Sequence, residues 1–273
     1  MAACVAAQVG GSRAAPEYTL EGVFDAASFQ PRFSPGMLVS ISGSNLSWTE
    51  RWRSDGDVRG SVLPSTLPET MVTVTVAGQP AAIEYASPGQ VLFLLPPGLK
   101  PGPVTVRLAV AGLAGPKVVL PVTELAPALF QLGEQFAMAR RADTMEFVSG
   151  PEPARGGVAI ILYGSGLGAT TPAQKPMVLP RAEAAIKHRE SLRVLLDGEA
   201  LPDDSIGYAG VMPGYPGFYE IRLRLPASVP EDPEVQVCLA GECSPGGLRL
   251  RTKVVETNPP PAQPEETPPR SDN

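Results

Sequence analysis

Apolar and polar residues alternate with a period of two over several short stretches. Met71-Val72-Thr73-Val74-Thr75-Val76 puts three valines on one face, and Ala77-Gly78-Gln79-Pro80 then turns the chain. Stretches 104–108 and 219–225 alternate likewise, the pattern of half-buried antiparallel strands. Val91-Leu92-Phe93-Leu94-Leu95 is continuously apolar, too short for a helix and stopped by Pro96-Pro97, which predicts a strand covered on both faces. The exception is 182–190, Ala-Glu-Ala-Ala-Ile-Lys-His-Arg-Glu, which is helical by propensity and predicts a short surface helix or turn. Strands at this spacing read as β-sandwiches.

The pattern occurs twice. Pro35-Gly36-Met37-Leu38-Val39-Ser40-Ile41-Ser42-Gly43-Ser44-Asn45-Leu46 returns as 155–167, each copy a strand running into a tight Gly turn. Val74-Thr75-Val76-Ala77-Gly78 returns as Val194-Leu195-Leu196-Asp197-Gly198, followed by Tyr85 in one copy and Tyr208 in the other. Leu108-Ala109-Val110-Ala111-Gly112 matches Val237-Cys238-Leu239-Ala240-Gly241. The order is kept, so the chain divides into an N-terminal segment 1–17, a sandwich over 18–123, a second over 124–255 and a Pro-rich tail 256–273. The tail lacks apolar residues able to offset the entropy of ordering, and both termini are expected to be disordered, the first alternatively a secretory-signal remnant, since Ser12-Arg13-Ala14-Ala15-Pro16 resembles a cleavage end.

One ordered series carries a family resemblance. Gly22-Val23-Phe24-Asp25-Ala26-Ala27-Ser28-Phe29, Ser34-Pro35-Gly36, Gly43-Ser44-Asn45-Leu46, Leu63-Pro64-Ser65-Thr66-Leu67, Val76-Ala77-Gly78-Gln79-Pro80-Ala81 and Tyr85-Ala86-Ser87-Pro88-Gly89-Gln90 follow one another. The second copy answers with Ala154-Arg155-Gly156, Tyr163-Gly164-Ser165-Gly166-Leu167-Gly168 and Pro216-Gly217-Phe218-Tyr219-Glu220. The series resembles the Solibacter-type secreted immunoglobulin-like domains of acidobacteria, relatives of IPT/TIG domains. That resemblance implies an all-β chain of two tandem immunoglobulin-like sandwiches, exported to the cell surface or beyond, with no catalytic residues to carry over.

Charge and composition narrow the function. A net charge of −6 opposes nucleic acid, whose phosphates need clustered Lys and Arg. One His and three Cys leave few metal or nucleophile constellations, and no cofactor is expected. No apolar run approaches the ~20 residues that span a bilayer. Met1-Ala2-Ala3-Cys4 would end a lipoprotein signal, with Cys4 lipidated, only if translation began upstream. Gly164-Ser165-Gly166-Leu167-Gly168 looks like a phosphate loop or serine elbow, but both require a following helix, which Pro172 opposes. Asp55-Gly56-Asp57 and Asp203-Asp204 read as solvated turns.

The remaining candidates are aromatics and a cysteine pair. Both tryptophans lie in Trp48-Thr49-Glu50-Arg51-Trp52-Arg53; exposed Trp and Arg stack on sugars or anchor interfaces. There Trp48, Arg51 and Trp52 are candidate binding residues, unless Trp52 caps the open end of the first sandwich. Tyr215 is a candidate ligand contact, while Phe218 and Tyr219 are expected to pack at the domain contact. Cys238 and Cys243 flank a four-residue hairpin loop, which predicts a disulfide. The resulting expectation is an exported, non-enzymatic structural or adhesive module that meets a protein or a cell-surface polysaccharide. The alternative is a carbohydrate-binding accessory module using Trp48, Trp52 and Tyr215.

Overall fold

The computed structural model describes residues 14–133 and 135–254; Cys4 and the Pro-rich tail lie outside them. In the first half run β1 (Val23–Asp25), β2 (Leu38–Ser42), β3 (Arg51–Trp52), β4 (Val72–Val76), β5 (Gln79–Pro80), β6 (Ile83–Ala86), β7 (Gln90–Leu94), β8 (Gly102–Val110) and β9 (Leu113–Val122). The second half holds β10 (Ala128–Leu129), β11 (Ala139–Arg141), β12 (Ala154–Arg155), β13 (Ala159–Ser165), β14 (Thr170–Thr171), β15 (Ala185–Ile186) and β16 (Leu192–Leu196). It continues with β17 (Glu199–Ala200), β18 (Ile206–Val211), β19 (Tyr219–Arg224), β20 (Val235–Leu239), β21 (Glu242–Cys243) and β22 (Thr252–Lys253).

Each half is a β-sandwich of immunoglobulin-like type. In the first, the sheet β1-β2-β7-β6-β3 faces the sheet β5-β4-β8-β9. In the second, β10-β13-β19-β18-β15-β14, with β11 also on β13, faces β17-β16-β20-β21. The alternation has its expected cause: Val72, Val74 and Val76 are buried while Thr73 and Thr75 are exposed. Facing sheets enclose one core around Val39, Ile41, Phe93 and Leu108 and another around Leu162, Val194, Ile221 and Val237.

The sequence repeat is a repeat of backbone geometry. Ala77-Gly78, Ala111-Gly112, Asp197-Gly198 and Ala240-Gly241 all take positive φ at both positions and close two-residue hairpins, the turn whose twist matches the strands it joins. The register slips between Ile83 and Tyr85 against β7, and again between Ile206 and Tyr208 against β19. Each slip turns its tyrosine onto the outer face of its sheet.

Two local readings are corrected. The 182–190 segment is not a helix: Ala185 and Ile186 pair with Thr171 and Thr170, and only a single 3-10 turn, Arg189–Ser191, follows. Strand pairing with a neighbour outweighs a propensity worth tenths of a kcal/mol per residue. The apolar run of β7 is covered on both faces only at Leu94; Leu92 is half-exposed, because the second sandwich covers just one end of that outer face.

That coverage joins the two halves. Met37, Leu38, Leu63 and Leu94 share an apolar cluster with Ala128, Phe130, Ile161 and Tyr163. Backbone bonds reinforce it: Leu63 donates to the Met177 carbonyl at 2.9 Å, and Leu179 to that of Ser61 at 2.8 Å. Arg32 donates through Nη1 to the Cys243 carbonyl at 2.8 Å.

Cys238 and Cys243 form the disulfide, with Cα atoms 4.0 Å apart. The loop it spans is tighter than the four residues expected, because Leu239 and Glu242 themselves pair and only Ala240 and Gly241 turn. A ring this small constrains the unfolded chain modestly, so reduction or the Cys238→Ser/Cys243→Ser double variant should cost about 2 kcal/mol, measured by urea denaturation.

Candidate binding surface

The outer face of the first sandwich carries a row of register partners across five strands. Register places Phe24 opposite Ser40, Ser40 opposite Leu92, Leu92 opposite Tyr85 and Tyr85 opposite Trp52. Neighbours one position along, Val39, Ile41 and Phe93, point into the core, so alternation turns the row outward. Ser40 is closed off by Gln90, whose Nε2 donates to its hydroxyl at 2.9 Å. At one end the exposed Phe29 tilts against Phe24, ring centroids 5.9 Å apart.

Trp52 ends the other side and is 62 % exposed. It lies on an edge strand, not over the open end of the sandwich, because Arg51 and Trp52 pair with β6. Its ring sits 4.4 Å from that of Tyr85, tilted by 37°, and the Tyr85 hydroxyl donates to Glu50 at 3.1 Å. Arg53, next along, turns to the opposite side. Its Nε donates to both Glu84 carboxylate oxygens at 2.9 Å, a pair mostly hidden from water. Burial pushes the Glu84 carboxyl up, against the pull of Arg53.

Trp48 is 38 % exposed and precedes β3, its amide donating to the Thr70 carbonyl at 3.4 Å. Arg51 is committed within the fold, with Nη2 2.8 Å from Asp57 Oδ1. Asp57 also receives the Ser54 amide at 2.8 Å, so Asp55–Asp57 is a closed 3-10 turn; Asp203 and Asp204 open another. The Ser165 hydroxyl of the glycine-rich stretch is buried and donates to the Gly217 carbonyl at 3.0 Å.

The loop 212–218 brings Tyr215 to the same side of the molecule. Gly217 packs on Leu38 and Leu94, where a Cβ would stand 2.6 Å from the Leu38 Cγ. Phe218 stacks on Phe130 at 4.0 Å, nearly parallel, inside the domain contact as expected. Tyr215 meets Phe218 edge-on at 6.3 Å and remains 53 % exposed. Arg53 Nη2 reaches the Gly214 carbonyl at 3.5 Å, so this loop adjoins the Trp52 end of the row. Sequence reasoning named Trp52 and Tyr215 but missed Phe24, Phe29, Leu92 and Tyr85 as their companions. Only strand register assembles the row, although the repeated Tyr85 and Tyr208 were a usable sign.

Tyr219 belongs to the second core, and its hydroxyl end reaches the domain contact, 3.8 Å from where a Cβ on Gly36 would stand. Its hydroxyl donates to the Gly168 carbonyl at 2.7 Å and accepts from Gln174 Nε2 at 3.1 Å. Burial pushes this phenol from the ordinary 10.0 up to about 12. The unfolded chain therefore loses its tyrosine proton first. The stability is intact below the ordinary tyrosine range and falls as pH rises from there toward the folded value, by roughly 2–3 kcal/mol. Urea midpoints across that alkaline window should drop in wild type and drop less in Tyr219→Phe.

No family model matches the chain, and no curated protein matches it. Solved structures that align with most of it include the surface glycan-binding protein PbSGBP-B from Prevotella bryantii, 11 % identical over 84 % of this chain and 41 % of that one, TM-score 0.26. The SGBP-B of a Bacteroides ovatus mixed-linkage glucan utilization locus, in complex with a mixed-linkage heptasaccharide, is 14 % identical over 89 % of this chain and 47 % of that one, TM-score 0.35. Domains 5–6 of the S-layer protein SbsC are 10 % identical over 88 % of this chain and all of that one, TM-score 0.28. The chain thus spans less than half the length of either glycan-binding protein. Among the described residues no helix is long and apolar enough to cross a membrane.

Proposed function

We propose that the protein is an exported, non-enzymatic adhesive module whose ligand is a polysaccharide laid across the outer face of the first sandwich. The observation that carries this reading is Trp52, exposed and yet braced on Tyr85, which Glu50 in turn holds. An indole offers a flat apolar face that complements the CH face of a pyranose ring. Bracing removes rotamer freedom before the ligand arrives, so less entropy is lost on binding. Strands about 4.8 Å apart set Trp52, Tyr85 and Leu92 in single-file order, a row suited to an extended chain rather than to a compact small molecule.

Affinity electrophoresis in gels containing plant and microbial polysaccharides tests it. The wild-type protein should be retarded, and Trp52→Ala should lose about tenfold in affinity, the ~1.4 kcal/mol of one stacking contact, with its melting temperature kept. Trp48→Ala should lose less, because Trp48 is outside the row. Retardation by none of the gels, or retardation unchanged in Trp52→Ala, would overturn the reading.

A further inference from the structure

The outer face of the large sheet in the second sandwich carries an arginine without a direct ion pair among the described residues. Register sets Arg140 opposite Ile161, Ile161 opposite Arg222 and Arg222 opposite Tyr208; two residues along β13, Tyr163 lies opposite Glu220. Arg222 is fully engaged: Nε and Nη2 donate to Glu220 at 2.8 and 2.6 Å, Nη1 lies 2.6 Å from Glu183, and the Tyr208 ring packs on it at 4.7 Å. Arg141 is paired with Asp143 at 3.0 Å.

Arg140 is not. Its guanidinium rests 4.1 Å from the centre of the Phe147 ring, its Nε is buried without an acceptor, and no carboxylate pairs with it among the described residues. Tyr163 is only 3 % exposed, and its hydroxyl has no hydrogen-bond partner either. Arg140 lies opposite Ile161, two residues from Tyr163 on β13, so alternation sets both on one face; Tyr215 meets Phe218, which stacks on Phe130, whose amide donates to the Tyr163 carbonyl at 3.0 Å. A buried polar group without a partner is costly, and here a guanidinium nitrogen and a hydroxyl on one face both lack one.

We propose that Arg140 and Tyr163 form a carboxylate subsite, with Tyr215 as the adjoining ring, and that the polysaccharide recognised is a uronate-bearing one. This rests on the polysaccharide reading above and names the class of chain. A planar carboxylate matches the fork of a guanidinium, and Arg140 is the guanidinium on this face without a direct carboxylate partner among the described residues. The subsite continues the first row, because Tyr215 shares its loop with Gly214, whose carbonyl accepts from the neighbour of Trp52.

The test is calorimetry of wild type, Arg140→Gln and Tyr163→Phe with oligogalacturonate, its neutral methyl ester, a neutral β-glucan oligosaccharide and dextran sulfate. Wild type should prefer the acid to its ester by about tenfold, as expected of a charge-assisted pair, and Arg140→Gln should abolish that preference. Tyr163→Phe, which removes one unpartnered oxygen, should weaken the acid severalfold with its melting temperature unchanged or raised. Equal binding of acid and ester, a preference that survives Arg140→Gln, or dextran sulfate bound as tightly as the acid would each overturn the subsite. Binding of the neutral glucan with no acid preference would sink this inference alone; binding of nothing would sink the proposed function with it.

Discussion

Gly166→Ala should destabilise the protein by at least about 3 kcal/mol, the sum of left-handed backbone strain and overpacking. Gly166 has φ 73°, and a Cβ there would fall inside the radius of the Ala126 carbonyl oxygen, with the Met37 sulfur at 3.3 Å. Ala126 in turn donates to the Gly166 carbonyl at 3.1 Å, so the chain linking the two sandwiches runs directly over this position. Asn45 occupies the same place in the first repeat, also left-handed at φ 57°. Two further variants separate the causes. Asn45→Ala should cost only about 1 kcal/mol, whereas Gly166→Asn tolerates the dihedral but not the crowding and should be nearly as damaging as Gly166→Ala. Urea denaturation gives the answer; a near-native Gly166→Asn would mean that close approach is not what requires glycine here.

Arg53→Met should cost about 3 kcal/mol, because it leaves the Glu84 carboxylate buried without its partner. The deficit should shrink on acidification. Burial already holds the Glu84 carboxyl up, removal of the guanidinium raises it further, and a protonated carboxyl has no charge to desolvate; the loss is therefore largest above the folded value and fades below it. The double variant Arg53→Met/Glu84→Leu should recover most of the stability, as replacing both members of a buried pair commonly does. Polysaccharide affinity should fall in Arg53→Met even where folding is retained, since Glu84 sits at the register slip that turns Tyr85 outward and Arg53 fixes the end of β3 beside Trp52. Unaltered affinity would show that Trp52 is positioned by Tyr85 alone.

The parts legible in the sequence were those governed by local rules. Alternation in 72–76 and 219–224 gave strands and their buried faces, and the turns at Ala77-Gly78 and Asp197-Gly198 were visible as the matching Gly-bearing ends of a repeated segment. The disulfide was legible because its two residues flank a hairpin. Segment 182–190 misled because helix propensity is a local preference, and β14 supplied a partner that no local window contains. For the surface, Trp52 and Tyr215 were apparent as residue types. Phe24, Leu92 and Tyr85 come from three different strands, however, and only pairing aligns them. Arg140 and Tyr163 carried no signal, since a missing partner is defined by what surrounds it.

The apolar seam around Met37, Leu94, Phe130 and Tyr163 bears on how such a surface would use its two halves. Modules joined by a flexible linker must give up mutual rotation and tumbling each time one ligand touches both. Here that freedom was surrendered during folding. A chain lying from Trp52 toward Arg140 would meet a track of fixed span, and its successive contacts would reinforce one another without a further orientational penalty.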